Sequence, residues 1–502
     1  MFTSRAHGVL TVFIAMSMSA CGGGGGGGGT ASDSQLSAPL VTLKVNQTSV
    51  VTGQTVVLSW STSGASTCTA SSGWIGTRDT SGSESATANA AGSVSYTLTC
   101  QNTSGSTART VTITAAPAVV SGKLFAPDGA TPVAGARVYA ATTATLSALR
   151  PNRKANPLSG DCALPALAAI ASSCTAADGS FSFNVDSVSS DTFSLVAEKG
   201  MFRLAQEVPV AVATAVGNLK LPKDVTAGAP RIALVTGNYG SIDRVLAKLG
   251  LATLNLTSGN IDVSTASFAM FSGFIQIQPG PLRYDLPDVA TLFAINAGTG
   301  LPKLQEFDII IVDSAANTTV LADATNRAAL RTFVEKGGVL FVIDRAIDFI
   351  EQPMPEYLRA VGATDTSPQT PDAYYAGLEG PLGVAIDAST DDALLVPWLK
   401  GVSCLGGACV NQDNTIRMDR FDEAWIVLAG AHSVHADDVY VTTRGVVALT
   451  ATTQERPLSV MFKLGQGQVI FSSYGSVFDD VVSDGLHTQE RVLQYLMLAA
   501  GE

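Results

Sequence analysis

The sequence lacks the features that mark the common catalytic and nucleic-acid-binding classes. No run of Lys and Arg occurs, and 30 basic residues stand against 42 acidic ones, a formal charge of −12 at pH 7. Such a chain has little with which to neutralise a phosphate backbone or hold an anionic bilayer by charge. Nucleic acid is therefore excluded as a partner, and so is electrostatic adhesion to lipid. No C-x-x-C pair occurs, which argues against a structural zinc site. There is no Walker sequence, no Gly-x-Ser-x-Gly elbow and no His-Glu-x-x-His helix. Gly465-Gln466-Gly467 precedes a strand instead of joining a strand to a helix, so it is not a nucleotide loop. No metal and no cofactor is expected.

What is present begins at the N-terminus. Arg5 precedes an apolar stretch, Val9 to Met18, and a small-residue junction, Ser19-Ala20-Cys21, followed by Gly22 to Gly29. The apolar stretch is too short to span a bilayer and reads as a cleaved signal peptide covering 1–20. Met18-Ser19-Ala20-Cys21 resembles the lipobox of bacterial lipoproteins, although Leu is usual at the Met18 position. The resemblance implies that Cys21 becomes the lipidated N-terminus, with palmitate among its acyl chains, and that lipid is the membrane attachment. Residue 22 is Gly and not the aspartate that retains enteric lipoproteins at the inner membrane, so by analogy the protein belongs to the outer membrane. Loss of Arg5 leaves 29 basic against 42 acidic residues, a charge of −13. The glycine run, within 21–38, has no side chains to pack and serves as a flexible tether.

Seven cysteines are an odd number for an exported chain. With Cys21 assigned to lipid, six remain in three local pairs: Cys68 with Cys100, Cys162 with Cys174, and Cys404 with Cys409. Local pairing of this kind suits folding in an oxidising compartment.

The alternation of Val41, Leu43 and Val45, the strand candidates Thr55–Trp60, Ser95–Cys100 and Thr110–Thr114, and the turns between them predict a β-sandwich over 39–116. The run Leu58 to Cys68, Gly73-Trp74-Ile75-Gly76 and Tyr96 to Cys100 resembles bacterial immunoglobulin-like repeats, which implies a spacer or adhesion module. Trp74 could stack on a sugar ring or pack beside the disulfide. Over 117–226, Val120 to Leu124, Asp128-Gly129, Pro132 to Tyr139 and Asp178-Gly179-Ser180-Phe181-Ser182-Phe183 resemble the carboxypeptidase regulatory-like domain, a transthyretin-like sandwich that brings no peptidase. Asp-Gly pairs supply its turns, and Val133, Ala136 and Val138 can face its core. An insertion from Ala141 to Cys174 reads as a surface loop closed by Cys162–Cys174, either a partner site or a tolerated decoration.

From 227 to 502 the pattern changes to buried strands alternating with helices. Arg231–Val235, Phe307–Asp313 and Val339–Ile343 read as strands, and Ser241–Leu249, Asn326–Lys336 and Thr488–Leu498 as helices. This implies a mostly parallel sheet covered on both faces. Phe307 to Asp313, the helix-Gly-Gly-strand of Leu330 to Ile343 and the late Gly-x-Gly strand resemble the class I glutamine amidotransferase-like fold, a flavodoxin-like three-layer sandwich. The resemblance implies a nucleophilic cysteine where this chain has Asp344 and Arg345, and a histidine where it has Tyr474, Gly475 and Ser476. Without thiolate and imidazole no nucleophile–base pair exists. Asp313, Asp344 and Arg345 remain as candidate catalytic residues at strand ends, where open α/β sheets bind ligands. Two carboxylates there could polarise water or hold a hard cation. Asp344 could instead pair with Arg345, or a strand-end Asp could cap a helix. His432 and His435 have metal-ligand spacing only on a helix, whereas their segment reads as a loop.

The expectation is a non-catalytic, lipid-anchored cell-envelope protein: two β-sandwiches carrying an α/β head that binds a surface protein or glycan. The alternative is an envelope hydrolase using Asp313 and Asp344, with or without a metal.

Overall fold

The computed structural model describes residues 37–141, 169–185, 192–274, 284–358, 380, 383–418, 425–428, 439–449, 452–476 and 485–502. Cys21, Cys162, His432 and His435 lie outside them. The chain forms two compact units. The smaller comprises described residues up to Lys44 with Ser59–Gly82 and Tyr96–Thr110. The larger comprises Val45–Leu58, Ser83–Ser95 and everything from Val111.

The N-terminal strands form a three-stranded and a five-stranded sheet, the two layers expected of an immunoglobulin-like sandwich. Leu40–Val45 and Thr55–Ser63 alternate between exposed and buried residues along most of their length, as a half-buried strand must. Cys68 and Cys100 stand directly opposite each other on paired strands and are disulfide-bonded. That bond therefore staples neighbours within one sheet. Trp74 is 6% exposed, lies edge-on to Trp60 and Tyr96 and donates its Nε1–H to Thr97 O at 3.1 Å. It is a core residue, with Arg78 over its ring at 5.0 Å.

Within the larger unit, a four-stranded and a three-stranded sheet make the second sandwich. Val133, Ala136 and Val138 are fully buried, and Phe181 and Phe183 stack on one face, 6.3 Å apart. Gly129 and Gly179 both adopt φ of +75°, as the Asp-Gly turns require. At Gly179 a Cβ would also lie 2.4 Å from Leu124 O. The insertion ends differently from expectation. Ala169–Cys174 is a strand paired antiparallel with Arg137–Ala141, because Arg137–Ala141 offers that side of its backbone to a second neighbour besides Thr192–Lys199. Cys174 is disulfide-bonded.

The rest of the larger unit is built on a nine-stranded mixed sheet. Five strands are parallel, in the spatial order Phe268–Ser272, Ile232–Thr236, Ile309–Val312, Val339–Ile343, Gly467–Ser472. In chain order this is 2-1-3-4-5. Four antiparallel strands extend the sheet beyond Gly467–Ser472. Ile309–Val312 and Val339–Ile343 are buried at every position, which explains their unbroken apolar runs. At the amino-terminal ends of the parallel strands, Arg231 grips Asp308 through Nε and Nη2 at 3.2 and 2.7 Å. The helix Ala324–Glu335 starts at Asp323, whose carboxylate accepts from Thr325 N–H. It stops at Gly337, φ +97°, and a Cβ on Gly338 would lie 2.4 Å from the Phe333 ring.

The second sandwich and one face of this sheet share a hydrophobic core. Trp398 donates its Nε1–H to Pro132 O at 2.7 Å, Met201 N–H donates to Ala500 O at 3.0 Å, and Lys199 pairs with Glu502 at 2.8 Å.

Candidate functional site at the carboxyl edge of the parallel strands

Four turns meet at the carboxyl ends of the parallel strands: Gly237–Ser241, Asp313–Ala316, Asp344–Ile347 and Ser473–Ser476. Each follows a buried strand, so its first polar residue sits where the apolar run ends. In the order 2-1-3-4-5 the topological switch point lies between strands Ile232–Thr236 and Ile309–Val312, where open α/β sheets receive ligands.

Asp313 is 2% exposed. Its Oδ2 accepts from Ile242 N–H at 3.3 Å and its Oδ1 from Ser314 N–H at 2.9 Å. It thereby caps Ile242–Lys248, the helix that follows a different strand, while the local Ser241 makes no side-chain cap. Ser241 N–H instead donates to Ser476 Oγ at 2.5 Å. A Cβ on Gly240 would sit 1.9 Å from Asp313 Oδ1, and one on Gly237 1.9 Å from Ser314 O. These turns are thus pressed together, and only glycine permits the approach. Gly240→Ala is expected to cost about 1–3 kcal/mol of stability by overpacking, read as a lowered denaturation midpoint.

Asp344 is 4% exposed and adopts a left-handed φ of 50°, unusual for a non-glycine residue and common at functional or over-determined turns. Its Oδ1 accepts from Ile426 N–H at 2.7 Å and its Oδ2 from Ser314 Oγ–H at 3.0 Å. Burial dominates and pushes its pKa up to about 7, against the lowering effect of those hydrogen bonds and of Arg345. The Arg345 guanidinium lies over the Tyr239 ring, 5.0 Å from its centroid. Tyr239 and Arg345 are both half-buried.

The two candidate carboxylates are therefore brought close, joined through Ser314, but both face inward. The position where the sequence resemblance implied a histidine holds Tyr474, 1% exposed, whose hydroxyl donates to Ser459 Oγ at 3.2 Å. Tyr474 and Ser476 thus serve as core and turn contacts. Among the described residues, no three His, Cys, Asp or Glu side chains come together in a way that would hold a metal ion. Cys404 and Cys409 are disulfide-bonded. Sequence reasoning missed Ser314, Ile426 and Tyr239. Ser314, adjoining a flagged aspartate, could have been found. Ile426 lies 82 positions from Asp344 and carried no signal.

No protein-family model matches the chain, and no curated protein matches it. Among solved structures, it is similar to the cytoplasmic protein STM3548 from Salmonella typhimurium at 11% identity, covering 54% of this chain and all of that one, with a TM-score of 0.30. It is also similar to BcpA, the major pilin subunit of Bacillus cereus, at 6% identity over 36% of this chain and 70% of that one, TM-score 0.20. A third is the 35 kDa C-terminal fragment of the major pilin GBS80 of Streptococcus agalactiae, at 9% identity over 37% and 99%, TM-score 0.20. At these scores the likeness decides neither fold nor function.

Proposed function

We propose that this is a non-catalytic, lipid-anchored cell-envelope protein. In this reading the α/β unit, 227–502, is a flavodoxin-like domain of the glutamine amidotransferase-like kind that binds a surface protein or glycan. The immunoglobulin-like unit, 39–116, and the carboxypeptidase regulatory-like unit, 117–226, carry it. The 2-1-3-4-5 strand order supports the fold reading. The lipobox-like tetrad ending at Cys21 supports attachment, and Gly22 in place of a retaining aspartate supports the outer membrane as the site. The observation that carries the binding reading is the inward burial of Asp313 and Asp344, which leaves Tyr239 and Arg345 half-exposed at that edge. A guanidinium over an aromatic ring offers a flat, cationic contact suited to an acidic or planar group.

Isothermal titration of the protein with isolated envelope glycan and with outer-membrane protein fractions tests this. Tyr239→Ala with Arg345→Ala should weaken binding at least about tenfold, while Asp344→Asn binds normally. Incorporation of a palmitate analogue, abolished by Cys21→Ser, tests the anchor. A second reading, an envelope hydrolase, is favoured by one observation: Asp344 is held at a left-handed turn with its pKa near 7, as an acid–base carboxyl requires. Glycan or peptide cleavage that disappears in a folded Asp344→Asn variant would select that reading instead.

A further inference from the structure

We propose that Cys404–Cys409 is an exchangeable disulfide, open to reduction by a dithiol while Cys68–Cys100 stays closed. The two bonds differ in burial and in the length of chain they close. Cys68 and Cys100 are both fully buried, lie opposite each other on paired strands and close a span of 32 positions. Cys404 is half-buried, and its bond to Cys409 closes a span of 5. So short a loop gives up little chain entropy when the bond forms, so the bond adds little to stability. Gly406 and Gly407, both at positive φ, would each meet nothing within 4 Å if they bore a Cβ. The loop is therefore open to an approaching thiol. Access of the attacking thiolate to one sulfur is a main determinant of exchange.

The chemistry closes on itself. A thiolate of the dithiol attacks Cys404 Sγ, the Cys404–Cys409 bond breaks, and its electron pair leaves on Cys409 Sγ, which takes up a proton. The second thiol of the dithiol then attacks the mixed disulfide and releases Cys404 as a thiol. The protein gains two electrons and the dithiol leaves as its own disulfide.

The bond also holds something. Leu405 N–H donates to Leu486 O at 2.7 Å, and Arg491 Nε–H donates to Ser403 O at 3.0 Å. Both acceptor and donor lie at the entry to the helix Thr488–Leu498, whose first turn is closed by His487 N–H on Glu490 Oε2 at 2.8 Å. Lys248 reaches the same entry, its amine donating to Gly485 O. Opening the bond frees residues 403–405 and loosens that entry.

The test uses the full-length protein under native conditions, titrated with dithiothreitol, alkylated and mapped by peptide mass spectrometry, with hydrogen exchange measured in parallel. Cys404 and Cys409 should become alkylated at a dithiothreitol concentration at least about tenfold below that for Cys68 and Cys100. Amides of 485–491 should then lose protection at least about tenfold, and the Cys404→Ser, Cys409→Ser variant should show that loss without reductant. Reduction of Cys404–Cys409 and Cys68–Cys100 at the same concentration, or unchanged exchange at 485–491 once Cys404–Cys409 is open, would overturn the proposal. Because the wild-type titration stands alone, a variant that fails to fold leaves the result intact.

Discussion

Asp344→Asn should make the protein more stable at pH 8 and leave its stability near pH 4 almost unchanged. Folding raises the Asp344 pKa from its ordinary value of 3.8 to about 7 by burial. For a group raised in this way, the folded state binds the proton more tightly than the unfolded state does. Its favourable contribution is complete below pH 4 and is lost as pH rises through 7. Above pH 7 the protein carries a buried carboxylate that the unfolded chain would solvate freely. A shift of about three pH units corresponds to on the order of 4 kcal/mol, an upper bound once the surroundings relax. Asparagine is close in shape, can still accept from Ile426 N–H and can donate its amide to Ser314 Oγ. The variant therefore removes the charge and keeps the joint. Denaturation midpoints at pH 4.5 and 8 decide it. Equal stability of the two proteins at pH 8 would mean that water reaches Asp344, which would also revive the hydrolase reading.

How far the sequence could be read follows from what each feature depends on. Period-2 alternation showed the strands of the first sandwich, because a strand with one wet face writes its burial into every second residue. Continuous apolar runs showed Ile309–Val312 and Val339–Ile343, because both faces of that sheet are covered. Gly337-Gly338 showed the helix stop. Ala169–Cys174 stayed hidden, since Ala-Ile-Ala-Ser-Ser-Cys has no strong alternation and becomes a strand only because Arg137–Ala141 accepts it as a neighbour. The carboxyl-edge residues were half legible. Asp313 and Asp344 announce themselves as charges at the ends of apolar runs. Two of their hydrogen-bond partners, Ile242 and Ile426, are apolar residues contributing only backbone N–H groups, and no pattern of residue types can announce that.

The same limit applies to the joint between the second sandwich and the nine-stranded sheet, where Trp398→Ala should have the largest effect of any single change proposed for this protein. Trp398, on the helix Leu395–Gly401, is fully buried and lies 5.3 Å from the Tyr495 ring. Its indole N–H is the donor to Pro132 O, 266 positions away. Truncation to alanine empties an indole-sized space, worth about 3–5 kcal/mol, and strands a carbonyl. Two other ties across the joint, Met201 N–H to Ala500 O and Lys199 with Glu502, are polar and cannot replace that packing. Scanning calorimetry should show the wild-type second sandwich and α/β unit melting together, and the variant's sandwich melting first. Trp398→Phe separates the two contributions, since it keeps most of the packing and forfeits mainly the hydrogen bond, about 1 kcal/mol. If Trp398→Ala melts as one transition within about 1 kcal/mol of wild type, the shared core is held elsewhere and the two units are joined by the chain more than by Trp398.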